Sequence, residues 1–126
     1  MKPCFLLAAV LVGPATAWGA EPRPCQESTS TDEQNQCLGR DLAALDKDIA
    51  AQVTRVAAKL RKEDAQDPLF RLAARFMNSQ SKWRQFREAE CSFRSLTFRA
   101  GTGAPAENMF CRIELGRARL NYLKGL

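Results

Sequence analysis

A single apolar stripe runs through residues 38–60, where hydrophobic side chains recur every three or four positions: Leu38, Leu42, Leu45, Ile49, Val53, Val56 and Leu60. This period predicts an amphipathic helix. Residues 30–33 read Ser-Thr-Asp-Glu, a capping box in which the Ser30 hydroxyl accepts from the Glu33 amide and the Glu33 side chain reaches back. We therefore expect a first helix from about Ser30 to Lys62, roughly 45 Å long.

A second helix is expected after a polar linker at residues 62–66. Asp67 is suited to the N-cap position and Pro68 to the first helical position. The apolar face of this helix carries Leu69, Leu72, Phe76 and Trp83. Glycines at 101 and 103 predict that the helix ends near Phe98 and that a flexible loop follows.

A third helix, opening at Pro105, has two apolar stripes on nearly opposite sides. One stripe is Met109, Phe110, Ile113 and Leu120, and the other is Cys111, Leu115, Ala118 and Tyr122. A helix that is apolar on two sides is usually wedged between neighbours. Short connections between long helices predict antiparallel packing.

The first 20 residues are typical of a secretory signal peptide. Lys2 supplies a positive charge, residues 4–12 are apolar, and residues 15–17 read Ala-Thr-Ala, a cleavage signal. The apolar run is shorter than the ~20 residues of a membrane-spanning helix. We expect residues 1–20 to be removed, leaving one domain at 21–126 with no transmembrane segment.

Four cysteines remain after that cleavage: Cys25, Cys37, Cys91 and Cys111. An even number of cysteines in an exported chain predicts disulfides. A zinc site is not expected, because the chain has no histidine and no Cys-x-x-Cys pair. Of three pairings we favour 25–37 and 91–111, since short loops close at the smallest entropic cost. The expected fold is all-α: a small antiparallel three-helix bundle with two disulfides.

The charge is unevenly distributed along the chain. Residues 21–67 hold seven Lys or Arg and ten Asp or Glu, whereas residues 68–126 hold eleven and four. Most of these charges are explained as solvated helix faces. The alternative is a basic surface in the C-terminal half for an anionic partner.

Trp83, Arg87 and Cys91 are spaced four apart, so they share one side of the second helix, with Gln80, Glu90 and Arg94 close to it. A charged residue on a core-facing stripe needs a partner. We favour an internal salt bridge from Arg87 to Asp41 or Glu90, with a target-binding arginine as the alternative.

Catalysis finds little support in the sequence. There is no histidine to act as a general base, and the cysteines are expected to be oxidised. Glu88 and Glu90 point to different sides of a helix, and residues 101–103 (Gly-Thr-Gly) are typical of a turn rather than a phosphate loop. We expect no enzymatic activity, no cofactor and no metal.

Several motifs stand together in this chain: Glu33-Gln34-Asn35-Gln36-Cys37, then Gln80-x-x-Trp83-x-x-x-Arg87-x-x-Glu90-Cys91, then Cys111, then Arg117-x-x-Leu120. This set resembles the LprI-type lysozyme-inhibitor domain, a family of small exported bacterial proteins. The resemblance covers roughly residues 25–123 and implies an all-helical, disulfide-bonded domain that inhibits lysozyme. The chain departs from the family in having Phe86 where Tyr is frequent. It also lacks a lipidated cysteine, which favours a periplasmic or secreted protein over an anchored one.

Two functions remain open. The first is inhibition of a peptidoglycan-cleaving muramidase by occlusion of its cleft, with Arg99 as the main binding residue and Arg94 and Thr102 beside it. Arg99 is otherwise a solvated loop arginine. The second is a non-inhibitory envelope protein that binds an anionic surface or a protein partner through its basic half; nucleic acid is not expected. Steep salt dependence would favour a polyanion.

Overall fold

The computed structural model describes residues 23–99 and 101–126, and the expected signal peptide lies outside them. Three helices account for most of the described chain: α1, Thr31–Gln66; α2, Leu72–Leu96; and α3, Ala104–Lys124. The prediction of an all-α three-helix fold is confirmed, and no described residue lies in a strand.

The capping box at the start of α1 is present, with one difference. The Ser30 Oγ accepts from the Glu33 amide at 3.2 Å, as predicted. The Glu33 carboxylate reaches one residue further back, where it accepts from the Thr29 amide at 3.0 Å and the Thr29 hydroxyl at 2.7 Å. These hydrogen bonds, the one from the Thr29 side chain first, lower the pKa of Glu33. Both side chains therefore satisfy amides at this helix terminus.

The predicted boundary between α1 and α2 was wrong. The polar residues 62–66 continue α1 to Gln66 rather than forming a linker. The second helix starts at Leu72 instead of Pro68, after Arg71 turns the chain in the left-handed region at φ 50°. Leu69, expected on the buried face of the helix, precedes it and is 76% exposed.

Contacts between the helices define their directions. Asp46 of α1 meets Arg87 of α2, and Asp64 near the end of α1 meets Leu72 at the start of α2, so these helices are antiparallel. Gln80 of α2 meets Arg119 of α3, while Cys91 meets Cys111, so α2 and α3 are antiparallel too. The two connections therefore lie at opposite ends of the bundle.

The core consists of two neighbouring clusters between α1 and α3. One contains Leu38, Ala106 and Ile113, and the other contains Ile49, Leu120 and Leu123. One expected stripe of α3 was partly wrong, because Ala118 is exposed and Tyr122 is 57% exposed. Gly116 and Leu123 are buried on α3 as well.

Both predicted disulfides are confirmed. Cys25 is bonded to Cys37, which ties the segment before α1 to that helix. Cys91 is bonded to Cys111, which joins α2 to α3 in the core, where both residues are buried. Within residues 23–99 and 101–126, no helix combines the length and hydropathy that crossing a bilayer requires.

Candidate functional site

The connection between α2 and α3 carries the predicted binding residue Arg99, and the structure describes its residues 97–99 and 101–103. The amide of Arg99 donates to the Leu96 carbonyl at 2.9 Å, and the amide of Gly101 donates to the Phe98 carbonyl at 2.8 Å. Arg99 itself adopts the left-handed conformation at φ 47°. Non-glycine residues adopt this conformation rarely, and it concentrates at functional turns. We call residues 97–99 and 101–103 the α2–α3 loop.

The side chains at this end of the bundle are open to solvent. Leu96 is 69% exposed and Phe98 is 46% exposed, and Arg99 and Thr102 are exposed as well. No residue of the described chain forms an ion pair or side-chain hydrogen bond with the Arg99 guanidinium. The α2–α3 loop therefore presents an unpaired cation beside two large apolar side chains.

A glycine shapes the α2–α3 loop. A Cβ atom at Gly103 would lie 3.1 Å from Cδ1 of Phe98, closer than a comfortable contact. The absence of that atom lets the Phe98 ring rest against the backbone of the loop.

Arg94, predicted as a binding residue, supports the base of the α2–α3 loop. Its Nε lies 3.1 Å from Oε1 of Glu90, and its Nη1 lies 3.0 Å from Oε2 of Glu114. The hydrogen bond to Glu90 is the main reason why the pKa of Arg94 is raised. The adjoining Cys91–Cys111 disulfide fixes the same two helices. Arg94 and Glu90 thus face one another and α3.

The predicted cluster around Trp83 lies between helices. The guanidinium carbons of Arg87 and Arg119 are 5.3 and 5.6 Å from the centre of the Trp83 ring. Trp83 is half-buried against the Ile49 cluster of the core. Cation–π contacts of this kind strengthen when solvent is excluded. Trp83 therefore packs between two arginines rather than in a fully apolar core.

An internal salt bridge of Arg87 is confirmed, but its predicted partners were wrong. Nη1 of Arg87 lies 2.7 Å from Oδ1 of Asp46, not near Asp41, while Glu90 binds Arg94. Nε and Nη2 of Arg87 donate to the carbonyl of Arg112 at 2.9 and 2.7 Å. The Arg87 side chain is only 11% exposed, so it joins all three helices from within.

Gln80 and Arg119 form a contact that the sequence analysis missed. Gln80 is 5% exposed, and its Oε1 accepts from Nε of Arg119 at 2.9 Å. A buried amide requires a hydrogen-bond partner, and Gln80 lies on the core-facing stripe of α2. The position of Gln80 on that stripe could have predicted a polar partner from another helix.

Residues 25–123 match the protein family described as Lysozyme inhibitor LprI. The chain belongs to the LprI lysozyme-inhibitor family. A search of curated proteins and a search of solved structures each found no match. The matched residues include both disulfides, α1, α2, the α2–α3 loop and all of α3 except its last residue.

The LprI motif residues differ in their surroundings. Gln80, Trp83 and Arg87 contact residues of other helices, and Glu90 binds Arg94, which in turn reaches Glu114 of α3, so these side chains have a role in holding this LprI domain together. Glu33 caps α1. Arg117 is exposed on α3. Arg99 and Thr102, outside the motif, are the open residues of the α2–α3 loop.

One group of potential metal ligands occurs in the described part of this LprI chain. Sγ of Cys25, Sγ of Cys37 and a carboxylate oxygen of Asp41 lie within 4.8 Å of one another. The two sulfur atoms are joined in a disulfide, and a thiolate rather than a disulfide is the ligand that binds metals. This group is therefore part of the covalent framework.

Proposed function

We propose that this LprI-family chain inhibits a lysozyme-type peptidoglycan glycosidase by placing the α2–α3 loop in the enzyme's substrate cleft. The family supplies the general activity, lysozyme inhibition. The observation that carries the mechanism is Arg99, an exposed arginine in a left-handed turn with no ion-pair partner among the described residues.

The catalytic chemistry of the target enzyme makes arginine a suitable side chain for blocking its cleft. Glycosidases of this type cleave with two carboxyl groups that flank the scissile bond. A guanidinium group donates two parallel hydrogen bonds to a carboxylate, which gives both charge and geometric fit. Arg99 in the cleft would occupy the position of the sugar and hold a catalytic carboxylate in an ion pair. Inhibition then needs no covalent step.

The α2–α3 loop is also held in place before it meets a target. The Cys91–Cys111 disulfide joins the helices on either side of it, and Arg94 links α2 to Glu114 of α3. Hydrogen bonds inside the loop fix the turn at Arg99. Pre-organisation raises affinity because less conformational freedom is lost on binding.

Leu96 and Phe98 supply the apolar part of the proposed interface. Both side chains are substantially exposed next to Arg99. Aromatic and arginine residues that become desolvated at the centre of an interface contribute most of the binding energy. In this proposal these three exposed side chains make the central contacts with the enzyme, and Thr102 lies at the edge of the interface.

The charge of the chain favours an acidic target enzyme. The whole sequence has a formal net charge of +5. Long-range attraction accelerates association with an oppositely charged protein and repulsion slows association with a basic one. An acidic muramidase is therefore the preferred target, and a strongly basic lysozyme is disfavoured.

The deciding experiment follows the loss of turbidity of a cell-wall suspension with acidic and basic muramidases and the purified, disulfide-bonded protein. Arg99→Asn removes the charge and keeps a residue that tolerates the left-handed turn. We expect it to weaken inhibition by about 2 kcal/mol, or roughly 30-fold, without changing the melting temperature. Thr102→Val should have a smaller effect, since it lies at the edge.

The matched control is Arg71→Asn, which makes the same change in a left-handed arginine at the opposite end of the bundle. It should inhibit as well as the wild type. Equal loss in both variants would contradict the assignment of the α2–α3 loop. No inhibition of any muramidase at micromolar excess would contradict the proposed function itself.

A further inference from the structure

We propose that the connection between α1 and α2, residues 67–71, is a docking site for an anionic phospholipid bilayer. We call these residues the α1–α2 corner. The proposal goes beyond the inhibitory function and does not depend on it, because the α1–α2 corner lies at the other end of the bundle from the α2–α3 loop. At 1.5 Å per residue, the 25 residues of α2 separate the two ends by roughly 37 Å.

The α1–α2 corner exposes two large apolar side chains that are adjacent in sequence. Leu69 is 76% exposed and Phe70 is 55% exposed, and Met77 on the next turns of α2 is 42% exposed. Single exposed apolar residues are ordinary, whereas a contiguous group of them marks an interaction surface. Exposed Leu and Phe at a tip are suited to entering the boundary between lipid headgroups and acyl chains.

The backbone holds these two side chains outward. Oδ1 of Asp67 accepts from the Leu69 amide at 3.2 Å, and Asp64 accepts from the amides of Leu72 and Ala73 at 2.7 and 2.9 Å. Arg71 completes the turn in the left-handed conformation. Leu69 and Phe70 therefore lie on a turn that is held by hydrogen bonds. The segment should lose little conformational entropy when it binds.

A groove of about 400 Å³ beside the α1–α2 corner adds the charged part of the site. Its lining includes Arg61 of α1 and Arg71 of the corner, with Pro68, Ala73 and Met77 as apolar neighbours. Neither arginine forms an ion pair with a residue of the described chain. Asp64 also lines the groove, but its two oxygens are occupied by the amides that begin α2. Two free guanidinium groups over an apolar floor match a phosphate attached to a lipid.

The surrounding charges favour an anionic bilayer over a second copy of this chain. The acidic residues of this segment are Glu63, Asp64 and Asp67, and both aspartates already accept hydrogen bonds from backbone amides. The basic residues are Arg61, Lys62, Arg71 and Arg75, so the segment keeps a small positive excess that weakly opposes a second copy and attracts an anionic bilayer. Two apolar side chains alone hold a neutral bilayer weakly, and basic residues supply the second signal that peripheral binding needs.

The arrangement leaves the α2–α3 loop free when the α1–α2 corner is bound. A protein held by the corner would display Arg99 away from the lipid. The arginines of the basic C-terminal half differ in their partners. Arg87, Arg94 and Arg112 form ion pairs with acidic residues of neighbouring helices, while Arg71 and Arg75 remain exposed at the corner.

The test is co-sedimentation of the purified, disulfide-bonded protein with vesicles of phosphatidylcholine containing about 30 mol% phosphatidylglycerol, and with pure phosphatidylcholine vesicles. We expect binding to the anionic vesicles that weakens at least fivefold when salt rises from about 0.05 to about 0.5 M. Leu69→Ser together with Phe70→Ser should reduce binding at least fivefold, and so should Arg71→Asn. These positions are exposed, so the variants keep the fold.

Matched controls carry the same changes elsewhere. Phe93→Ser alters a residue of similar exposure on α2, 64%, and Arg99→Asn alters the left-handed arginine of the α2–α3 loop. Both controls should bind vesicles like the wild type. Equal loss in the controls would overturn the assignment of the corner, and equal binding to neutral vesicles would overturn its anionic specificity.

Two further outcomes would overturn the proposal in favour of other occupants. The first is a concentration-dependent dimer in sedimentation equilibrium that Phe70→Ser abolishes, which would assign the corner to a second copy. The second is competition by inorganic phosphate at millimolar concentration with no effect of the Leu69 and Phe70 changes, which would indicate a simple phosphate site.

Discussion

The Asp64 carboxylate in the last turn of α1 caps α2, with its Oδ1 2.7 Å from the amide nitrogen of Leu72. The second oxygen, Oδ2, accepts from the Ala73 amide at 2.9 Å. Helix N-termini usually take their cap from the residue directly before the helix. In α2 that residue is Arg71, whose side chain makes no capping hydrogen bond. The cap is instead Asp64, eight residues before Leu72, and its hydrogen bonds join α1 to α2.

Replacing Asp64 tests this cap. Asp64→Ala leaves two amides at the start of α2 without their acceptor, and we expect a loss of about 1–2 kcal/mol in unfolding free energy. The matched control is Asp67→Ala, which removes a single 3.2 Å bond to the exposed Leu69 amide and should cost less. Urea denaturation midpoints measure both. A larger effect at Asp67 would contradict the interpretation and restore the predicted N-cap.

Arg87 is expected to be structural. Arg87→Met keeps much of the side-chain volume but leaves the Arg112 carbonyl and Asp46 without their partner, which should cost about 2–4 kcal/mol. Inhibition by the fraction that remains folded should not change, since Arg87 is nearly buried and remote from Arg99. Thermal melts and the turbidity assay separate the two effects. An unchanged melting temperature with lost inhibition would identify a target-binding arginine.

Trp83 contributes to stability through its contacts with two guanidinium groups and the Ile49 cluster. Complete burial of an aromatic residue makes truncation cost about 3–5 kcal/mol, and Trp83 is half-buried, so we expect about 2–3 kcal/mol for Trp83→Ala. Phe93→Ala, at a residue that is 64% exposed, is the control and should cost little. Equal denaturation midpoints for wild type and Trp83→Ala would contradict this role.

The two disulfides are expected to contribute similarly to the free energy of unfolding but to differ in their effect on inhibition. Their sequence separations are 12 and 20, so loop-closure entropy predicts a similar contribution, about 3 kcal/mol each. Removing Cys91–Cys111 by a double change to Ala should also weaken inhibition, because that bond supports the α2–α3 loop. Removing Cys25–Cys37 should spare inhibition in the folded protein. Non-reducing peptide mapping should find these two links, and equal inhibition by both variants would argue against pre-organisation of the loop.

The cap at Glu33 predicts a dependence of stability on pH. Hydrogen bonds from Thr29 lower the pKa of Glu33 below its ordinary value of 4.5, so the unfolded chain binds the proton more tightly than the folded one. The stabilisation is therefore present above the unfolded pKa and is lost as pH falls through the folded pKa. Glu33→Gln should melt at a lower temperature than wild type at neutral pH, and the gap should close progressively as the pH falls through the lowered pKa of Glu33. A gap of constant size would contradict this.

Local sequence patterns were sufficient for the helices and the covalent framework. The spacing of Leu38 through Leu60 made α1 amphipathic, and the Ser30 cap defined its first turn, because both effects act over a few residues. The disulfide pairing followed from the short loops that it closes. The position of Arg99 in an exposed loop beside Gly101 and Gly103 was predicted in the same way.

The way those helices meet could not be predicted from local patterns. Periodicity assigns residues to one side of a helix, but the rotation and axial register between helices depend on packing of all three at once. The extension of α1 to Gln66 moved the register, so that Arg87 faces Asp46 rather than Asp41. The same packing paired Gln80 with Arg119 and left Leu69 and Tyr122 exposed. Three amphipathic helices and two disulfides could be predicted from the sequence, because they depend on neighbours along the chain. The polar contacts in the interior, the distant cap of α2 and the left-handed turns at Arg71 and Arg99 depend on neighbours in space.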